Sequence, residues 1–182
     1  MIYWRLYLKE NKDDANLIIS LSNILRYALE PIHSETTVKE ELEQINNYIR
    51  IQKARFDDGL QIDVDVEEGV ENCQIIRLLL QPLVENVFVH AFRDQLDIAV
   101  LEIKVFRQND FLLIAIHDNG CGMDPNILQR INVSEENVSL GLHSVTRRIE
   151  LTHGKPYRLE IESEYGIGTT VRLCLPFIPL NK

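Results

Sequence analysis

Leu17, Leu21, Leu25 and Leu29 recur at four-residue steps, with Ile18 and Ile24 beside them. That spacing predicts an amphipathic helix with one apolar face. Pro31 ends it, because the residue before a proline is pushed out of the helical region. A second helix is predicted after HSETTVKEELEQ. Thr37 stands as its N-cap with Glu40 three residues on, the capping-box arrangement, and Leu42, Ile45 and Ile49 carry an apolar stripe with Tyr48 and Gln52 nearby. Two such helices can bury their stripes in two ways. They fold back onto their own domain, or they pair with partner helices in a dimerising bundle.

At DDGL, residues 57–60, the texture changes. LQIDVDVE alternates apolar and polar positions and reads as a strand. Residues 75–92, IIRLLLQPLVENVFVHAF, form an apolar stretch too long for one strand and are expected to be mostly a buried helix. Pro82 is tolerated there if the helix starts near Leu80 or Gln81. IAVLEIKVFR and FLLIAIHD, joined at QND, predict a β-hairpin. LGLHSVTRRIELTHG predicts another helix with Gly154 as its C-cap, and YRLEIES, EYGIGT and TVRLCLPF a second hairpin. Strands that come mainly as hairpins, with helices between them, predict an α+β class: a mixed sheet with helices on one face. The expected division is a helical segment over 1–56 and a second domain over 57–182.

Composition narrows the function more than the fold. The net charge of -9 disfavours a surface built to grip nucleic-acid phosphates, which needs an excess of lysine and arginine. No apolar run reaches the roughly 18–20 residues of a membrane span, and no signal peptide is visible. Cys73, Cys121 and Cys174 are odd in number, far apart and in no CxxC pair. They predict reduced thiols, a cytoplasmic location and no zinc site.

The candidate chemistry starts at HDNGCGMD, residues 117–124, which as residues alone permits a metal site, a polar turn or a cradle for a ligand. His117 and Asp118 face opposite sides of a strand, Cys121 has no second thiol at ligand spacing, and the calcium-loop pattern is not met. The metal reading therefore weakens. Three further pieces stand out: Asn86 and His90, four apart on one helix face; Gly141, opening a helix at SLGLHSV; and GIGTT, residues 166–170. Each alone is ordinary, respectively a buried polar pair, an N-cap and a turn.

In this order the pieces resemble the signature of the ATP-binding superfamily of gyrase, the ninety-kilodalton heat-shock chaperone, MutL and the histidine kinases. Within it, LSNILRYAL, EELEQINNYIRIQKARF and LLLQPLVENVFVHAF resemble the LytS/YesM-like sensor histidine kinases of two-component systems, a likeness running from about residue 17 to 176. The resemblance implies a Bergerat-type two-layer α/β sandwich preceded by a partial helical dimerisation and phosphotransfer segment. It also implies ATP and Mg²⁺ as cofactors. Asp118 would accept a hydrogen bond from the adenine amine, supported by Thr169 of the Gly168-Thr169 pair. Gly120 and Gly122 would let the backbone pass close to the purine. Asn86 would offer its amide oxygen to Mg²⁺, with His90 bordering the same site. Gly141 and Leu142 would turn a helix N-terminus toward the phosphates, and residues 123–140 would form a mobile lid.

Two departures sharpen the expected reaction. Val89 stands where many relatives have a lysine or arginine, which leaves His90, Arg93, Arg147 and Arg148 as candidate sources of positive charge. Pro82 stands where the hydrolysing members have an acidic residue, and Glu85 points about 100° away from Asn86 around the helix. The second departure favours phosphoryl transfer over hydrolysis. An acceptor motif like N-P-H-F-L-Y-N does not occur, and none of His33, His117, His143 or His153 matches it. The expectation is a fragment that binds ATP with Mg²⁺ without phosphorylating itself. In the whole protein the γ-phosphoryl would pass to a histidine and then to a response regulator aspartate. That protein is expected to be a homodimer through these helices and to reach the membrane only through other segments. The rival expectations are a superfamily ATPase with a mechanical role, a non-catalytic nucleotide-binding dimerisation module, and an anti-sigma serine kinase.

Overall fold

The computed structural model describes residues 12–31, 36–56, 59–93, 97–133 and 140–180. In chain order the elements are α1 (Lys12–Leu29), β1 (Thr36–Thr37), α2 (Val38–Phe56), β2 (Leu60–Val66), β3 (Gln74–Ile75), α3 (Gln81–Asn86), a π-helical turn (Val87–Ala91) continuing α3, β4 (Ala99–Gln108), β5 (Phe111–Asp118), α4 (Pro125–Val133), α5 (Leu140–His153), β6 (Arg158–Glu164) and β7 (Gly168–Pro176). Five strands form one sheet in the order β2-β4-β5-β7-β6, with β1 and β3 as a separate two-stranded patch. β2 runs parallel to β4 and the other pairings are antiparallel. The sheet is therefore mixed, as expected, with the two hairpins antiparallel and the β2–β4 pair parallel.

Alternation decides which face is covered. Leu101, Ile103 and Val105 of β4, Leu112, Ile114 and Ile116 of β5, and Val171, Leu173 and Leu175 of β7 all point into the core, while Lys104, Phe106 and Arg172 between them are exposed. Against the covered face lie Leu83, Val84 and Phe88 of α3 and its π turn, and Leu142, Val145 and Ile149 of α5. Helices on one face of a mixed sheet make the two-layer α+β architecture.

The helical pair divides its loyalties. Val38, Leu42, Ile45 and Ile49 of α2 belong to the same core as the sheet. Tyr48 and Phe56 set their rings edge-on to Phe88 at 5.6 and 5.8 Å. α2 is thus built into the core of the sheet domain, and the packing runs without a break across residue 56. The stripe of α1 behaves differently. Leu21, Leu25 and Leu29 are 51%, 55% and 85% exposed. The face α1 turns inward carries Ala15, Ser20 and Tyr27 instead.

Local signals hold where their partners are close in sequence. Thr37 Oγ1 accepts the Glu40 amide at 3.3 Å and Glu40 Oε2 accepts the Thr37 amide at 3.1 Å, the reciprocal bonds of a capping box, and such a cap is worth about 1 kcal/mol. Gly154 ends α5 at a φ of 65°. Residues 75–92 depart from expectation in two respects. Gln74 and Ile75 pair with β1, and the helix begins at Gln81 with Pro82 in its first turn, so residues 76–80 are not helical. After Asn86 the backbone widens into the π turn, closed by the Phe92 amide on the Val87 carbonyl at 2.9 Å. A π turn inserts an extra residue and often marks a functional position.

Candidate nucleotide site

Four close approaches bring the sequence-predicted pieces into one ring at the end of β5. The first joins α3 to α5. A Cβ built on Gly141 would lie 3.2 and 3.3 Å from the two polar atoms of the Asn86 side chain, so the first turn of α5 is seated against that amide. The second joins the π turn to the loop after β5. Gly120 faces Ala91, whose Cβ and carbonyl oxygen would both be 2.5 Å from a side chain at 120, and the Cys121 amide donates to the Ala91 carbonyl at 3.1 Å. Third, Gly122, at a φ of 63°, abuts the Glu164 carbonyl at the end of β6, while the Gly166 amide donates to Cys121 O at 2.8 Å. Fourth, Gly168, at a φ of 149°, presses against the Asp118 carbonyl.

Asp118 is the buried charge in this ring, 4% exposed. Its Oδ1 accepts the Gly120 amide at 2.9 Å. Burial pushes its carboxyl above the ordinary carboxylate range; the Gly120 amide, the charge of His117 and the Thr169 amide pull the other way and do not cancel it. Asp118 is thus a desolvated carboxylate with lone pairs to spare, a strong and directional acceptor. Asn86 supplies the opposite signal. Its Nδ2 is buried with no hydrogen-bond partner among the described residues, and a buried amide nitrogen left unpaired costs about 1–3 kcal/mol. An orphan of this kind fits a ligand that completes it.

The remaining expected residues divide. Thr169 lies opposite Asp118 in the β5–β7 register, but it supports the carboxylate through its backbone. Its hydroxyl is 2.9 Å from Ser163 Oγ. Ser163 also accepts the Met123 amide at 2.8 Å, which ties the start of the 123–133 segment to β6. His90 has an exposed side chain, and its carbonyl receives the Cys121 thiol at 3.3 Å. Leu142 is in the core at 3% exposure, which leaves its backbone as what it can offer a ligand. The glycines expected to clear a purine have another job in this structure. The side chains missing from Gly120 and Gly122 make room for Ala91 and Glu164, because the loop has to lie flat between the π turn and the β6–β7 hairpin.

Two candidate cations also find other employment. Arg148 donates through Nη1 to Leu78 O at 2.8 Å and through Nη2 to Arg77 O, and burial lowers its pKa against the opposing charge of Glu41. It holds the loop ahead of α3 and does not face the ring. Arg147 pairs with Glu150 at 3.8 Å on the surface of α5. Part of the expected lid, residues 134–139, lies outside the described residues; residues 125–133 form α4, capped by Asp124 Oδ1 on the Asn126 amide at 2.8 Å.

Sequence reasoning missed Asn119. Its Oδ1 accepts the Val100 amide at 2.7 Å and its Nδ2 donates to Ile98 O at 2.9 Å. It therefore pins the loop to the start of β4 and leaves Asp118 fixed in place. The only sequence signal for it was its position in DNG, which reads as a turn.

Residues 71–179, which carry the asparagine helix, the D-x-G-x-G loop, the glycine-opened helix and the G-x-G-T hairpin, match a family model described as histidine kinase-, DNA gyrase B- and HSP90-like ATPase. The chain belongs to that family. Residues 1–60 match a second model, described as histidine kinase. Among curated relatives, the sensor histidine kinase YesM of Bacillus subtilis is 31% identical over 96% of this chain and 30% of its own length. The sensor histidine kinase YpdA of Escherichia coli is 39% identical over 93% of this chain and 30% of its own. This chain therefore spans about 30% of the length of these two relatives. Solved structures agree on the fold. The histidine kinase domain of the blue-light activated kinase of Erythrobacter litoralis superposes with a TM-score of 0.57 at 16% identity, covering 91% of this chain and 75% of that one. The catalytic domain of histidine kinase ThkA gives 0.60 at 14% identity, covering 81% and 98%. In sequence and fold the chain corresponds to the ATPase-family region of sensor histidine kinases. No described helix is long and apolar enough to cross a membrane.

Proposed function

We propose that this region binds ATP with Mg²⁺ in the ring around Asp118 and passes the γ-phosphoryl to a histidine outside this chain, for relay to a response regulator. The observation that carries the reading is the pairing of a buried, spare-valenced Asp118 with the unpartnered Asn86 amide at the first turn of α5. Asp118 reads the exocyclic amine of adenine. Gly141 leaves the opening amides of α5 clear for phosphate oxygens, which a helix N-terminus favours. The unpartnered Asn86 Nδ2 can donate only to an acceptor such as a phosphate oxygen, while its Oδ1 is a hard oxygen ligand of the kind Mg²⁺ takes. Mg²⁺, when bound, supplies neutralisation of the phosphate charge. Pro82 carries no carboxylate where a water-activating acid would stand, and Glu85, adjacent to Asn86, is turned to Gln81 at 2.7 Å. That supports transfer over hydrolysis, and transfer rests on positioning and charge rather than on a protein base.

Calorimetric titration tests this directly. The chain should bind ATP more tightly with Mg²⁺ than without it. Asn86→Ala should erase most of that difference, a loss of about tenfold for a single ligand. Labelled ATP should leave no acid-labile phosphate on the chain. Absence of binding, or stable self-phosphorylation, would overturn the proposal.

The exposed stripe Leu21, Leu25 and Leu29 of α1 supports homodimerisation through these helices in the whole protein, since three large apolar side chains on one helix face are costly to leave in water. Leu25→Glu should shift any dimer toward monomer in sedimentation equilibrium, with ATP affinity unchanged; an unaltered dimer would rule this face out. An ATP-consuming relay of this kind places the region in the cytoplasm, with any sensing or membrane-spanning parts elsewhere in the protein.

A further inference from the structure

Leu80 is the N-cap of α3 and has no side chain able to cap it, and the amides of residues 78–80 that lead the chain into the helix need an acceptor from elsewhere. That acceptor is Glu41, on α2. It is 1% exposed. Its Oε1 accepts the Leu78 amide at 2.6 Å, and its Oε2 accepts the Leu79 and Leu80 amides at 3.0 Å each. The Tyr27 hydroxyl of α1 donates to Oε1 at 2.5 Å. One carboxylate thus gathers three consecutive backbone amides and a phenol.

The surroundings make this clamp a junction and not a lone cap. Leu78 holds a φ of 53°, a region that leucine adopts only when its surroundings enforce it. Its amide is held by Glu41 and its carbonyl by Arg148. Arg77 stacks over the Tyr27 ring at 3.7 Å, donates to Tyr27 O at 3.1 Å and pairs with Glu30 at 2.5 Å. β1 and β3 pair just beside it, joining the start of α2 to the start of the 75–80 segment. Burial, and then the charge of Glu41, raise the Tyr27 pKa, which keeps the phenol a donor. From Leu80 to Asn86 is under two helical turns, about 9 Å, and Leu83 and Val84 between them are buried. Moving the first turn of α3 therefore moves Asn86.

We propose that Glu41 is a positioning residue for the nucleotide site: it fixes where the asparagine helix begins, and through that sets where the Asn86 amide lies relative to the first turn of α5. Tyr27, donating to the same carboxylate, links α1 to that setting. The inference rests on the assignment of Asn86 to the nucleotide. It adds that the ATP site takes part of its geometry from the helical pair.

The test is a double-mutant cycle in the whole chain, read by calorimetry with ATP and Mg²⁺. Glu41→Gln keeps the size but turns an amide NH₂ toward the backbone donors. It should weaken binding about tenfold, as lost outer-shell support does. In an Asn86→Ala background the same substitution should cost little more, because the two act through one contact. Tyr27→Phe removes only the phenol donor; it should give a smaller loss that also disappears in that background, and it provides the cycle if Glu41→Gln does not fold. Losses that simply add would overturn the role of Glu41, since a purely structural cap would weaken the fold without sensing Asn86. Failure of the unsubstituted chain to bind at all would bring down the nucleotide assignment itself, and the role of Glu41 with it.

Discussion

Asp118→Asn should melt at a higher temperature than the unsubstituted chain while losing about 10- to 100-fold in ATP affinity, the equivalent of the 1.5–3 kcal/mol carried by a hydrogen bond to a charged group. Binding falls because asparagine offers a neutral oxygen, and its NH₂ meets the adenine amine donor to donor. Stability rises because the folded protein holds this carboxyl above its ordinary range, chiefly through burial. For a raised carboxyl, the stabilising contribution is complete below the unfolded pKa and is lost as pH climbs through the folded one. At neutral pH, then, ionised Asp118 is a burden on the fold, and the neutral amide relieves it. The melting advantage of Asp118→Asn should shrink as pH falls toward the ordinary carboxylate range. Scanning calorimetry across pH, beside titration with ATP, measures both halves. A variant that melts lower and binds ATP unchanged would mean that Asp118 is structural.

Gly168→Ala should be the most damaging single methyl group in the ring. The glycine sits at a φ of 149°, and its missing side chain would occupy the position of the Asp118 carbonyl. The strained dihedral and the backbone collision together should cost about 3 kcal/mol or more, a fall in melting temperature of roughly 10 °C for a chain of this size. Neither neighbour can yield cheaply. Asp118 is paired with both Leu101 of β4 and Thr169 of β7, so relief means opening the centre of the sheet. Nucleotide binding should fall as well, since the backbone that would move carries the adenine acceptor. An alanine variant that keeps its melting temperature would show that the hairpin rearranges freely. By contrast, Gly154→Ala at the end of α5 meets no neighbouring atom within 4 Å and bears only its φ of 65°.

Whatever depended on neighbours in sequence could be read from the chain alone. The two hairpins, the capping box of Thr37 and Glu40, the Gly154 stop and the alternation in β4 and β5 all follow from spacing, because caps, turns and strand faces are decided within a few residues. The residues proposed for the candidate site came by another route, the resemblance of short motifs in a fixed order to a known family, since each motif alone reads as an ordinary turn, cap or polar pair.

Contacts between distant segments were not legible. Nothing in EELEQ distinguishes Glu41, buried and bound to the amides of residues 78–80, from Glu40, which caps its own helix. The difference arises only when α2 lies across α3 and brings Oε2 to within 3.0 Å of the Leu79 and Leu80 amides. The π turn after Asn86 and the inward and outward faces of α1 were hidden in the same way, since an apolar stripe states that a surface must be covered but not what covers it. Sequence by itself determined the strands and helices, because local chemistry and periodicity are written residue by residue, and the resemblance of its short motifs pointed to the family. Tertiary structure alone decided that the glycines of the loop make room for Ala91 and Glu164, that Arg148 holds a backbone turn, and that a carboxylate from the helical pair sets the start of the asparagine helix. Those outcomes depend on which buried groups meet, and meeting is a property of the folded chain.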